Sequence, residues 1–286
     1  MIPLLKPGYW RQHVALDVGT ATTRIATGSS NFVEQPSRVG LKRALCGGVI
    51  VDGETVLHIL KPLLDRTRVC GMVKPCVLTC APTDARYEER QLLVDSIMRS
   101  GAASALVIPE PLAAAIGAGI DVSSPYARMV VDIGEGVTDC AIIRSSEIRA
   151  TCALRVGCHQ MRSAIVSAAG NSENDTSADI LLRHCGLTRS PESVGSVMVA
   201  GSIESVLEKI AGTVDSFIRD LPPDLGCDVI DSGICLTGGG ALIPGVRRYL
   251  ENRTGITVSV ARNPRASVVE GARAILPVIL MLNRWK

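Results

Sequence analysis

The sequence predicts an α/β protein built from two similar domains that face each other across a cleft, and three observations carry that reading. Short apolar runs alternate with longer segments of helical period along the chain. A pattern occurs twice, DVGTATTRIA at 17–26 and DIGEGVTDCA at 132–141, with Asp, Gly, Thr and Ala at matching places. A glycine run, LTGGGALIPG at 236–245, leads into a further helical segment.

The elements follow in chain order. A strand at 14–16 opens the first repeat, which turns at Gly19 into a candidate hairpin. Strands at 77–81 and 106–108 flank a helix at 84–100, and a short helix at 111–118 follows them. The second repeat brings strands at 129–132 and 140–143, then helices at 159–169 and 178–185. The helix at 203–221 has the clearest pattern, with Ile203, Val206, Leu207, Ile210 and Val214 on one face and Pro222 and Pro223 at its end. Strands at 234–237 and 256–260 alternate with helices at 244–254 and 267–276.

Composition narrows the function classes. With 286 residues, 47% of them apolar, the chain can bury a large core without disulfides or metals. Thirty basic residues against 28 acidic ones leave a net charge of +2, with no basic stripe, so no nucleic-acid partner is expected. Ten cysteines contain no C-x-x-C pair and sit mostly in apolar runs, as buried small hydrophobes. No signal peptide is visible, and a reducing cytoplasm is the expected compartment. The longest apolar run, AILPVILML at 274–282, is about half of the ~20 residues a spanning helix needs. Trp10 and Trp285, each beside basic residues in an apolar terminus, suit either a membrane surface or packing on the protein itself.

Chemistry concentrates in the repeats. In D-x-G-x at a strand end, glycine permits close backbone approach or positive φ, and the following N–H groups can donate to phosphate oxygens. The aspartate can hold Mg²⁺ through water, because that ion keeps most of its hydration shell. Two such turns plus a side-chain-free glycine run, on which an adenosine can lie, point to nucleotide binding.

Five segments then carry a resemblance: VALDVGTATTRIA, CAPTDARYEERQLLVDSIMRSGA, VIPEPLAAAIGAGIDV, MVVDIGEGVTDCAII and LTGGGALIPGVRRYLENRTGITV. In this order they resemble the bacterial actin homologues MreB and Mbl over most of the chain. The resemblance implies the actin-like fold of the actin/Hsp70 ATPase superfold, with an ATP/ADP and Mg²⁺ cleft. It also implies membrane-associated filaments, formed alone or with a paralogue, that guide cell shape through cell-wall synthesis proteins. The protein would then be cytoplasmic and peripheral at the inner face of the membrane. Domain I would comprise 1–126 plus 268–286, with a reduced outer subdomain at about 36–76. Domain II would comprise 127–267, with a reduced outer subdomain at about 171–200.

Carried over by position, Asp17, Gly19 and Thr20 match the first phosphate loop, in which Thr22 stands where the family usually has asparagine, and Asp132, Gly134, Gly136 and Thr138 fall in the second. Asp17 and Asp132 would hold the metal through water. Gly238, Gly239 and Gly240 match the adenosine loop, and Asp179 stands for a glutamate near the adenosine. Glu89 matches a residue that resembles the water-positioning glutamate, which orients the attacking water. Its plain alternative is a solvated acid in the first turn of a helix. Met72 and Val73, in CGMVKP at 70–75, match a membrane-inserting loop and share that role with Trp10; a turn packed on its own domain is the alternative.

Three departures bear on activity. Glu135 replaces a glycine and Val137 a hydroxyl residue in the second loop. A carboxylate ~4 Å from a phosphate charge would cost about 4 kcal/mol at an effective dielectric near 20, unless the side chain turns to solvent or pairs with an arginine. Leu182 stands where the family has lysine. Both outer subdomains are short. These departures imply at most a slow ATPase, or, as the alternative, a hydrolysis-deficient interaction protein that regulates a full-length paralogue.

Overall fold

The computed structural model of the chain describes residues 12–28, 32–170, 174–189 and 194–282. In its first half, β1 (His13–Val18), β2 (Thr22–Thr27) and β3 (Val33–Pro36) form an antiparallel meander. Two small hairpins follow, β4 (Arg38–Val39) with β5 (Lys42–Arg43) and β6 (Leu45–Cys46) with β7 (Val49–Ile50). Then come α1 (Gly53–Asp65), β8 (Cys76–Ala81), α2 (Tyr87–Arg99), β9 (Ser104–Pro109) and α3 (Glu110–Gly117). The second half begins with a like meander, β10 (Arg128–Ile133), β11 (Thr138–Arg144) and β12 (Glu147–Leu154). It continues through α4 (Cys158–Ala168), α5 (Asp175–His184), α6 (Val194–Arg219) and α7 (Pro223–Ser232). It ends with β13 (Ile234–Thr237), α8 (Val246–Thr254), β14 (Val258–Val260) and α9 (Ser267–Met281).

The sequence repeat is a repeat of topology. One sheet runs β3-β2-β1-β8-β9 and the other β12-β11-β10-β13-β14, each a meander extended by two parallel strands on the far side of its first strand. Parallel strands need crossovers, and helices supply them in both halves. The two D-x-G turns lie at the C-terminal ends of β1 and β10, the usual place for a ligand in such sheets.

Three apolar layers hold the halves together. Val14, Leu16 and Val77 pack with Ile59, Leu60 and Ile97 of α1 and α2 on the outer face of the first sheet. Met129, Val131 and Leu236 pack with Met161, Ile203 and Ile210 outside the second. Between the sheets lie α3 and α9, whose Ala113 and Ala272 meet Ala15 and Leu78 on one side and Val130 and Ala141 on the other. The two helices touch backbone to backbone: a Cβ on Gly117 or Gly271 would fall inside the opposite chain.

Some elements differ from expectation. α1 was not foreseen, because Pro62 interrupts its apolar pattern; Asp52 caps it and its buried Val56, Ile59, Leu60, Leu63 and Leu64 make it part of the main core. Within 36–76, the stretch expected to be a reduced outer subdomain, α1 packs into the main core and two small hairpins precede it. α7 starts at Pro223, where proline costs nothing because the first helical N–H has no partner. β12 is an edge strand with alternating exposure, and Glu147 and Arg149 face outward. α6 runs from Val194, nine residues before the expected start at 203. Among the described residues, no helix is long and apolar enough to cross a membrane.

Candidate functional site

A cleft opens between the two D-x-G turns, and most of the residues expected from the sequence line it. Asp17, Gly19, Thr20, Thr22, Glu89, Asp132, Gly134, Gly136, Asp179, Gly238 and Gly239 all face this space. The turns close alike: Gly19 N–H donates to Thr22 O at 3.2 Å, and Gly134 N–H to Val137 O at 2.8 Å. A Cβ on either glycine would lie 2.9 Å from that carbonyl, so close approach, not a left-handed φ, requires glycine here. The N–H groups of Thr20, Ala21, Glu135, Gly136 and Val137 have no acceptor among the described residues, which leaves two short rows of donors facing one gap.

Two expected residues turn elsewhere. Thr138 is buried and its hydroxyl donates to Val156 O, so it braces the strand and does not reach the cleft. Gly240 sits against Ile133, where a Cβ would lie 2.2 Å from Cγ2; its role is packing. Gly238, by contrast, has φ +80° and leaves room for its backbone directly beside Asp132 Oδ1.

The cleft floor gathers carboxylates. Asp17 is paired with Arg24 at 3.1 Å, and Arg24 also reaches Glu34. Burial still holds the Asp17 carboxyl above its ordinary value, against the pull of Arg24. Asp132 is buried with an unpartnered Oδ1, and Thr237 Oγ1 beside it is also unpartnered. Burial pushes Asp132 up to about 7; the Thr237 hydroxyl, near the carboxyl but outside good hydrogen-bond geometry, opposes this, and the charges of Asp17 and Asp139 add to it. Asp139, pushed up to about 6 by burial, accepts from Thr83 N–H and Oγ1 at 2.8 and 2.6 Å, which ties β11 to the loop after β8.

Glu110, the first residue of α3, also lines the cleft. Loss of solvent and the nearby Asp132, Asp17 and Asp139 hold its carboxyl well above the usual range. Glu110 lies outside the expected site residues, and an acid at a strand-to-helix junction is the sequence signal that marks it.

Glu89 is engaged across the cleft. Arg155, which follows β12, bonds it at 2.9 and 3.3 Å and reaches Asp84 at 2.7 Å. Glu89 Oε2 also accepts from Arg86 N–H. The Arg155 bonds hold the Glu89 carboxyl below its usual range.

The fate of Glu135 is settled by Arg162. That guanidinium, 9% exposed, clamps both Glu135 oxygens and also reaches Asp175 at 3.2 Å and Asp179 at 3.4 Å. The carboxylate is neutralised in place, and the loop keeps its N–H groups free, as the arginine-paired alternative expected. Leu182 is buried and packs into the core below α5, while Arg183, paired with Asp179 at 2.6 Å, brings a cation to the cleft from the next position. In the loop at 70–75, Met72 is 77% exposed and Val73 half-buried, in a turn closed by the Val69–Val73 bridge. Trp10 lies outside the described residues.

Comparison with known proteins places this cleft in a family. The family model described as MreB/Mbl protein matches residues 34–174 and 166–284. Cell shape-determining protein MreB of Escherichia coli strain K12 is 29% identical over 272 residues, 86% of this chain and 78% of its own. Cell shape-determining protein Mbl of Bacillus subtilis strain 168 is 29% identical over 267 residues, 84% of this chain and 80% of its own. The crystal structure of MreB5 of Spiroplasma citri bound to ADP superposes with a TM-score of 0.86 at 24% identity, covering 96% and 98% of the two chains. A MamK double helical filament shares the fold with a TM-score of 0.80 at 16% identity, over 93% of this chain and 99% of that one. With its two matched sheets, its facing phosphate-type turns and these relatives, the chain belongs to the MreB/Mbl family and has the actin-like fold.

Proposed function

We propose that this protein is a nucleotide-binding bacterial actin that assembles with itself or a paralogue into filaments at the inner membrane surface and guides cell shape and wall synthesis. The observation that carries the reading is the pair of matched turns whose unpartnered N–H groups face one gap, beside a glycine loop open on its cleft side. Relatives named as cell shape-determining proteins support the cytoskeletal role over that of a regulator.

The residues present suit a hydrated Mg²⁺. Asp132 Oδ1 is buried and lacks a partner, a cost that a cation's water ligands would offset. Asp17 and Asp132 would hold that hydration shell, and the ion would supply charge neutralisation at the phosphates. The turn N–H groups bind phosphate oxygens, Gly238 and Gly239 give the adenosine a flat seat, and Asp179 with Arg183 faces its edge. Both oxygens of Glu89 are committed to Arg155 and Arg86, so it can orient a lytic water only after releasing Arg155. Turnover is therefore slow. Exposed Met72 extends the assembly's contact to lipid.

The test is assembly itself. Purified protein at micromolar concentration, with Mg²⁺ and nucleotide, is expected to pellet and to show filaments by electron microscopy on lipid; Met72→Ser should reduce vesicle binding without reducing filament mass. A chain that stays monomeric with every nucleotide, alone and with a family paralogue, contradicts the proposal.

A further inference from the structure

One of the two small hairpins is inserted between the phosphate turns. In the β6–β7 hairpin, Gly47 and Gly48 have φ of +54° and +77°, the left-handed pair that a two-residue hairpin turn requires. Gly48 N–H donates to Thr20 Oγ1 at 2.9 Å, so the turn is bonded to the first loop. A Cβ on Gly48 would lie 2.8 Å from Val137 Cγ2 and 2.9 Å from Pro82 Cγ. A Cβ on Gly136 would lie 2.9 Å from both N and Cα of Gly47. The turn thus touches the first loop, the second loop and the end of β8 together.

The two ends of the cleft differ accordingly. At Gly239 an added Cβ would meet nothing within 4 Å, so the adenosine end is open. At Gly136 an added Cβ would meet the Gly47 backbone, and at Gly48 it would meet the side chains of Val137 and Pro82, so the end of the cleft beside the hairpin is closely packed. Buried Leu45 anchors the hairpin in the first core, and neighbouring Arg43 reaches Asp175 at 3.7 Å and His159 at 3.5 Å across the cleft mouth. Asp175 in turn bonds Arg162, which clamps Glu135 of the second loop.

Resting on the reading that the cleft takes a nucleotide, we propose that the Gly47–Gly48 turn occupies the place of the terminal phosphate. The cleft as it stands takes a nucleoside diphosphate, and a third phosphate enters only when the hairpin lifts. Lifting breaks the Gly48–Thr20 bond and pulls Arg43 from Asp175, so the hairpin becomes the element that distinguishes the two nucleotide states. Such discrimination needs no extra contact to the diphosphate, only the cost of opening that the triphosphate must meet.

Calorimetry with Mg²⁺ and either ADP or a non-hydrolysable β,γ-imido triphosphate tests this on the whole chain. The wild type is expected to bind the diphosphate at least about tenfold more tightly. Gly48→Ala places a side chain at a left-handed φ against Val137 and Pro82, displaces the turn, and should narrow the gap to roughly threefold or less. Arg43→Ala, on an exposed side chain that bears little on folding, should narrow it in the same direction. Amide exchange over residues 45–50 should speed up with the triphosphate analogue and not with ADP. Equal affinities in the wild type, with unchanged exchange over 45–50, overturn the proposal while leaving nucleotide binding intact. A folded chain that binds neither nucleotide overturns both.

Discussion

The two phosphate-type turns share a backbone and differ in how their charges are balanced. Both close through one N–H to a carbonyl three residues on, and both present free donors to the same gap. In the first, Asp17 has a guanidinium partner and Thr20 accepts from the hairpin above. In the second, Asp132 Oδ1 has no partner, while the extra carboxylate of Glu135 is neutralised by Arg162. Repetition has kept the geometry that phosphate binding needs, and divergence has moved the unpaired charge to one side. That side is where a cation would be held.

Substitutions can break this contrast, and the largest effect is expected at Arg162. Arg162→Ala strands Glu135 with its partner gone and should cost about 3 kcal/mol by urea denaturation, since removing one member of a buried pair leaves an uncompensated charge. A loss below roughly 1 kcal/mol would mean that Glu135 finds solvent and the clamp is incidental.

Asp132→Asn comes next and carries a pH signature. Because the folded carboxyl is raised to about 7 from an ordinary 3.8, the folded wild type holds a proton that the unfolded chain has lost between those values. Wild-type stability from this group is therefore full below about 3.8 and lost as pH rises toward about 7. The variant should be more stable than the wild type above pH 7 by on the order of 2–3 kcal/mol. That advantage should shrink steadily as the pH falls. An advantage that grew on acidification would contradict the burial argument.

Gly19→Ala and Gly134→Ala sharpen the comparison from the other direction. The same 2.9 Å approach to a carbonyl should cost each about 2 kcal/mol, and equal losses would show that the two turns are equivalent as backbones. The smallest effect belongs to Arg155→Ala. Its bonds to Asp84 and Glu89 cross the cleft but are partly exposed, so stability should fall by at most ~1 kcal/mol, less in high salt. A salt-independent loss would place more of the domain closure on this arginine than its exposure allows.

Much of this was legible in the sequence because it is local. The D-x-G turns, the glycine loop and the hydrophobic face of α6 each lie within one stretch of chain, and periodicity or spacing reveals them. The pairings were hidden because they are distant in sequence: Arg162 reaches back to Glu135, and Arg155 to Glu89 in the other half. Glu135 looked like an obstacle for that reason alone. Thr138 was read by position in the motif, but the strand's alternation turns it away from the cleft and toward Val156. The Gly47–Gly48 pair could have been read as a tight hairpin, though nothing in its own sequence says which loops it touches.

The most direct test is titration of the wild type with Mg²⁺ and ADP by calorimetry, alongside a Gly239→Val variant whose added Cβ meets no protein atom within 4 Å and projects into the open adenosine seat. Saturable one-to-one binding at micromolar concentration in the wild type, lost in the variant while it remains folded, is the result expected. A folded wild type that takes up no nucleotide at millimolar concentration would contradict the claim that these two turns form a working phosphate site.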